Sequence, residues 1–289
     1  MQTPYRHRPL SSGDLQRHLF AAAHGPIAQT RRVFTVTDRG TSSSVVACLG
    51  ASATVAIGSY DWIEALQHRP QNARRRFLRF AQGGDLAYNG LRRIPAIASC
   101  DPSDVIVLLG ENDVLAAISR TYERIARRWK RLPRTPSPEW FHETMQAIVY
   151  RLKRRTTASI ALSSLIPIGE DPHSTDPFQS AANHYVEQYS AIICDIATQE
   201  SVAYIPLYER LRAIIERQPG QSLTAFNLLP FYRDAVRQFV LHKTHDEIGR
   251  LNGWRFHRDG IHLNSVSGGV LVELVEEWLK TAARSSHTS

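Results

Sequence analysis

The sequence predicts an α/β domain in which a parallel sheet of about five strands is covered by helices on both faces. Three observations lead there. Five short apolar or β-branched runs recur from residue 44 onward, each bounded by turn residues. Segments with helical periodicity separate them, and one long amphipathic stretch follows the last. Short runs without polar alternation suit strands buried on both faces, and alternating strand and helix makes such a sheet parallel.

Residues 1–43 are polar and turn-rich, with Arg8-Pro9-Leu10-Ser11-Ser12-Gly13 early and Asp38-Arg39-Gly40-Thr41-Ser42-Ser43 late. They read as an N-terminal arm with a short amphipathic helix near Leu15, Leu19 and Phe20. The remainder, 44–283, begins with the first run, 44–50, and continues through runs at 77–81, 105–110, 159–167 and 202–207. Helical spacing marks 60–68, 114–131, 139–154 and 180–199. The closing helix, 266–283, sets Leu271, Leu274, Val275, Trp278 and Leu279 on one face, and 284–289 form a tail. Residues 208–250 read as a helical insert of two or three helices: Tyr208–Arg217, a break at Pro219-Gly220, then roughly Leu223–Arg250. Its apolar middle, including Leu223, Phe226, Phe239 and Leu241, has two readings: a face packed on the sheet, or a wall or lid over a site.

Composition narrows the class. With 289 residues, 43% hydrophobic and 21% charged, the chain has the balance of a globular protein with a sizeable core. Cys48, Cys100 and Cys194 lie far apart with no C-x-x-C pair, which argues against a disulfide framework and a cysteine zinc site. No apolar run reaches the roughly 18 residues a membrane helix needs, and the N-terminus lacks a signal-like apolar stretch. The expectation is a soluble, cytoplasmic protein.

The net charge of +8 is regional. Residues 120–155 hold eleven Arg or Lys against Glu123, Glu139 and Glu143, an excess equal to that of the whole chain. Arg120, Arg124, Arg127, Arg128 and Arg131 recur at helical spacing, the pattern of a solvated helix face. No nucleic-acid reading motif accompanies them, which argues against a nucleic-acid partner. A binding protein using this face on an anionic surface or nucleic acid is the alternative from another functional class.

In open α/β sheets, functional groups gather beyond the carboxyl ends of the strands. The first run ends in Gly50-Ala51-Ser52-Ala53-Thr54, which lacks both the Gly-Lys of a phosphate loop and the second glycine of a G-x-S-x-G elbow. The second ends in Gln82-Gly83-Gly84-Asp85, where paired glycines permit a tight backbone whose N–H can face an anion. The third ends in Gly110-Glu111-Asn112-Asp113, with a side-chain amide where an oxyanion donor is useful and where helix caps are also common. Near the C-terminus stands Asp259-Gly260-Ile261-His262. Asp and His three apart across a turn can join, which fixes the imidazole tautomer and leaves its other nitrogen as a base.

The order and placement of these four blocks resemble the SGNH, or GDSL-type, esterase/lipase family over roughly residues 44–283. Gly90-Leu91-Arg92-Arg93-Ile94-Pro95 looks like the helix of the family's second block, and Ile166-Pro167-Ile168-Gly169 like its proline-bearing end to the fourth strand. One departure is clear: the family's Gly-Asp-Ser-Leu reads Gly-Ala-Ser-Ala here. The resemblance implies a three-layer αβα sandwich of flavodoxin-like type. It implies a serine esterase or acylhydrolase in which Ser52 attacks an ester carbonyl, His262 takes its proton and Asp259 orients the ring. It implies an oxyanion hole of the Ser52 and Gly84 backbone N–H groups and the Asn112 amide, a small-molecule ester substrate, and no metal or organic cofactor. A carbohydrate O-acetylesterase of the same fold is the alternative within the class.

Overall fold

The computed structural model describes residues 44–285, and within them five strands pair into one all-parallel sheet. These are β1 (Ser44–Gly50), β2 (Arg75–Ala81), β3 (Asp104–Leu108), β4 (Ser159–Ser163) and β5 (Ala203–Ile205), in the spatial order β2-β1-β3-β4-β5. Each strand lies where an apolar run predicts it. The runs at 105–110 and 159–167 outlast their strands because their last residues leave the ladder as loops, and the run at 202–207 because its last residue, Leu207, begins the next helix. The expected arm, 1–43, and residues 286–289 lie outside the described residues. The tail expected from 284 starts inside the final helix, which ends at Ser285.

Short helices α1 (Ser52–Val55), α2 (Trp62–Gln67), α3 (Ala87–Leu91) and α4 (Ile94–Ala98) link the first three strands. Between β3 and β4 come α5 (Glu111–Ile118), α6 (Arg120–Trp129) and α7 (Pro138–Arg155). The periodic stretch 114–131 is therefore two helices. Ser119 adopts extended backbone (φ −127°, ψ 106°) and its hydroxyl accepts from the Tyr122 N–H, so it caps α6 and ends α5. Then follow α8 (Pro177–Gln199), α9 (Leu207–Arg217), α10 (Leu228–Phe239), α11 (His245–Leu251) and α12 (Ser265–Ser285).

One face of the sheet packs through Leu49, Val107 and Leu162 against Phe141, Ile148 and Ile193 of α7 and α8. The opposite face packs through Val46, Cys48 and Ile106 against Trp62 of α2 and Leu271 and Val275 of α12. Burial between the two helix layers explains why the central strands β1, β3 and β4 read as apolar runs, whereas the edge strand β2 is mostly half-buried and carries Arg75, Arg76 and Arg79. Arg120, Arg124, Arg127, Arg128 and Arg131 are exposed, while Tyr122 and Ala126 turn inward.

The insert holds three helices, α9, α10 and α11, within the two or three expected. Residues 218–227 and 240–244 are not helical, so roughly Leu223–Arg250 is broken into α10 and α11. Leu223 and Phe226 are half-buried against the core, whereas Val236, Phe239, Val240 and Leu241 are exposed. Its described apolar side chains thus form no single face laid on the sheet.

Candidate active site

The register decides where the site lies. Gly50 of β1 stands level with Ala81 of β2 on one side and Leu108 of β3 on the other. The three chains leave the sheet together, carrying Ser52, Gly84 and Asn112 to one edge. This edge is also the topological switch point, where connections from β1 and β3 depart in opposite directions and open a crevice.

Ser52 opens the one-turn helix α1 directly behind β1. Its Oγ lies 3.0 Å from His262 Nε2, and His262 Nδ1 lies 2.7 Å from Asp259 Oδ2. A carboxylate only accepts, so Nδ1 carries the proton and Nε2 presents its lone pair to the serine hydroxyl. The other oxygen, Asp259 Oδ1, accepts the backbone N–H groups of Ile261 (3.1 Å) and His262 (2.9 Å). Burial opposes the Asp259 charge, but His262, the adjacent Arg258 and the His262 backbone N–H outweigh it and hold the carboxyl well below the usual range. The structure thus brings Ser52 to the Asp259–His262 pair, which the sequence places in a distant block.

The loop carrying Asp259 and His262 is fixed from several sides. Arg258 N–H donates to the His262 carbonyl (2.9 Å), and the Tyr60 N–H donates to Leu263 (2.9 Å). Gly169 N–H donates to the Gly260 carbonyl at 2.7 Å. Glu170, fully buried, accepts the backbone N–H groups of Arg255, Phe256 and His257. His257 is buried beside it, with Nδ1 3.0 Å from Glu170 and Nε2 2.8 Å from the Pro167 carbonyl. Burial acts to raise the Glu170 pKa, but His257 and these N–H groups bring it below the usual range. Sequence reasoning did not single out Glu170 or His257. Their one signal is a carboxylate and an imidazole placed just after the fourth strand and just before the Asp-x-x-His turn.

On the other flank, Gly84 has φ +73° and Gly110 has φ +140°, conformations that L side chains resist. A side chain at Gly110 would also meet Leu165 and Phe141. Asn112, in the first turn of α5, donates from Nδ2 to the Asp85 carbonyl (2.9 Å) and accepts at Oδ1 from the Tyr122 hydroxyl (2.5 Å). Asp85 is held by Arg93 and by Lys130 Nζ (2.9 Å), and the same Lys130 ammonium donates to the Gly83 carbonyl (2.5 Å). Two buried carboxyls flank Asn112. Glu111 accepts the Ile166 N–H (3.2 Å), and burial raises its pKa. Asp113 accepts the Ala87 N–H (3.0 Å), and burial, with the nearby Glu111 adding to it, pushes its pKa up to about 8. Tyr122 and Lys130 also escaped the sequence reading, one on the inner side and the other at the C-cap of a helix whose outer side is conspicuous for arginine.

Among the described residues no group of three or more His, Cys, Asp or Glu side chains is arranged to hold a metal. No described helix is long and apolar enough to cross a membrane.

A five-stranded sheet in this order, with these three loops at its carboxyl edge, defines a flavodoxin-like α/β enzyme scaffold. The GDSL-like lipase/acylhydrolase family matches residues 44–226, and the chain belongs to that family. It is an ester hydrolase. No curated protein matches the chain. Among solved structures it is similar to an acetyl xylan esterase, AlAXEase, at 20% identity over 81% of this chain and 98% of that one, with a TM-score of 0.52. It is similar to TesA at 19% identity over 83% and 99%, TM-score 0.52. A lipase/acylhydrolase from Enterococcus faecalis aligns at 13% identity over 82% and 96%, TM-score 0.53. At these identities the likeness is one of fold.

Proposed function

We propose that the chain hydrolyses carboxylic esters of small molecules through an acyl-enzyme on Ser52. The observation that carries this reading is the hydrogen-bonded chain from Ser52 Oγ through His262 to Asp259. His262 Nε2 removes the hydroxyl proton as Oγ attacks the ester carbonyl, and the Asp259 carboxylate stabilises the imidazolium that forms. The tetrahedral oxyanion is met by the Ser52 and Gly84 backbone N–H groups and by the second Nδ2 hydrogen of Asn112. His262 then returns the proton to the departing alcohol, and water, activated the same way, releases the acid. The chemistry needs neither metal nor organic cofactor.

Half-buried Phe226 supports an acyl group longer than acetyl. Its ring lies 4.8 Å from Tyr122, whose hydroxyl bonds Asn112, so an apolar surface from the insert adjoins the oxyanion flank. Carbohydrate O-acetyl esters are the second reading, favoured by the acetyl xylan esterase among the structures of similar fold. A panel of p-nitrophenyl esters from acetate to palmitate, run beside acetylated sugars, tests both. The first reading expects turnover that rises from acetate to medium chains. Turnover confined to acetylated sugars supports the second, and no turnover on any ester refutes the function.

A further inference from the structure

The break between α5 and α6 places a second helix beside the oxyanion flank. Ser119 caps α6, and three residues later Tyr122 points its hydroxyl at the Asn112 carbonyl oxygen, 2.5 Å away. The phenol is buried among charged neighbours, and its ring is braced edge-on by Phe226. Burial first, then Asp113 and Asp85, raise the Tyr122 pKa, so the hydroxyl keeps its proton and donates.

A side-chain amide has two orientations of nearly equal shape, and only one offers N–H groups to an oxyanion. At Asn112 two bonds select that orientation. Nδ2 gives one hydrogen to the Asp85 carbonyl, and Oδ1 receives the Tyr122 proton. A flipped amide would set oxygen against the Asp85 carbonyl, two acceptors face to face. Donation into Oδ1 also polarises the amide and strengthens the remaining N–H as a donor. We infer that Tyr122 is a positioning residue of this enzyme, fixing and polarising the Asn112 amide so that its second N–H is aimed at the forming oxyanion. This rests on the proposed oxyanion role of Asn112. The role of Tyr122 is to act through Asn112 rather than on the reacting atoms.

The test compares Tyr122→Phe, Asn112→Ala and the double variant on one p-nitrophenyl ester. Each kcat is divided by the Ser52 concentration titrated with a fluorophosphonate, so misfolded protein does not count. Tyr122→Phe keeps the ring against Phe226 and removes only the hydroxyl. Its kcat should fall about ten-fold while KM stays within about two-fold, the size of one buried hydrogen bond felt at the oxyanion. In the Asn112→Ala background the same change should alter kcat by less than about two-fold, since contacting partners in one network are not additive. If Asn112→Ala lowers kcat but Tyr122→Phe does not, this inference fails and the catalytic reading stands. A lowered melting temperature with unchanged kcat per titrated site makes Tyr122 merely structural and also refutes it. An equal loss in both backgrounds refutes it too, because Tyr122 would act through some other group. Unchanged kcat in Asn112→Ala removes the oxyanion role of Asn112 and the inference with it.

Discussion

Asp259 and His262 are three residues apart in one loop and meet within a single turn. Across the crevice, the partners of the oxyanion flank are brought together from positions 10, 27 and 45 residues apart, as Tyr122–Asn112, Asn112–Asp85 and Lys130–Asp85. The first flank is a local turn that the rest of the fold needs only to anchor, through Glu170 and Gly169. The second has no local geometry of its own. Its donors are aimed by α6, a helix whose exposed side is a row of arginines. The contrast suggests that chemistry on the first flank is all-or-none, whereas the second can be weakened by degrees.

The largest effects should fall on the first flank and on Ser52, which its imidazole meets. Ser52→Ala and His262→Ala are each expected to lower kcat on a p-nitrophenyl ester by about 10⁴-fold to 10⁶-fold with the fold retained. The double variant should be scarcely worse than either single, because removing one member already disables the unit. Steady-state kinetics together with circular dichroism check this. Near-native turnover in Ser52→Ala would remove the asymmetry altogether.

Asn112→Ala should cost less, about 10²-fold to 10³-fold in kcat with little change in KM, because the amide is needed most when the oxyanion forms. A loss confined to KM would move Asn112 from transition-state to ground-state binding. Phe226→Ala, one contact further out, should lower kcat/KM for octanoate relative to acetate by about ten-fold. An unchanged chain-length profile would detach the insert from the substrate site.

The smallest effect sharpens the comparison through pH. Asp113 has its pKa raised in the fold to about 8, so the folded state holds a proton that the unfolded chain gives up from near the ordinary value of 3.8. The sign follows: stability from this group is complete below the unfolded value and is lost as pH rises toward about 8. Asp259, with its pKa lowered, behaves oppositely and contributes above the unfolded value, with loss only in strong acid. The melting temperature of the wild type should therefore decline between pH 5 and pH 9 more steeply than that of Asp113→Asn. Parallel curves would show that Asp113 is not the buried acid responsible.

What could be read from sequence divides along the same line. Five short runs marked the strands, most plainly β1, β3 and β4, where burial on both faces leaves no polar alternation, and Asp259-x-x-His262 was readable because its geometry is local. The split of 114–131 was not, since Ser119 looks like one more tolerated polar residue until its hydroxyl is seen capping Tyr122. Glu170, His257, Tyr122 and Lys130 escaped for a shared reason. Each acts on residues distant in sequence, and no periodicity records a contact made only after the chain is folded. Composition could not choose between the insert's two readings, because an apolar stretch suits a packed face or a wall over a site alike, and Val236, Phe239, Val240 and Leu241 are exposed while Phe226 is half-buried.

The account turns on Ser52 being the nucleophile, and one measurement addresses it. The native protein is treated with a fluorophosphonate, digested and mapped by mass spectrometry while residual esterase activity is followed. A single adduct on Ser52, with activity falling in proportion to its occupancy and no adduct in His262→Ala over the same period, is the predicted result. Labelling at any other serine, or full esterase activity with Ser52 fully modified, would contradict the account.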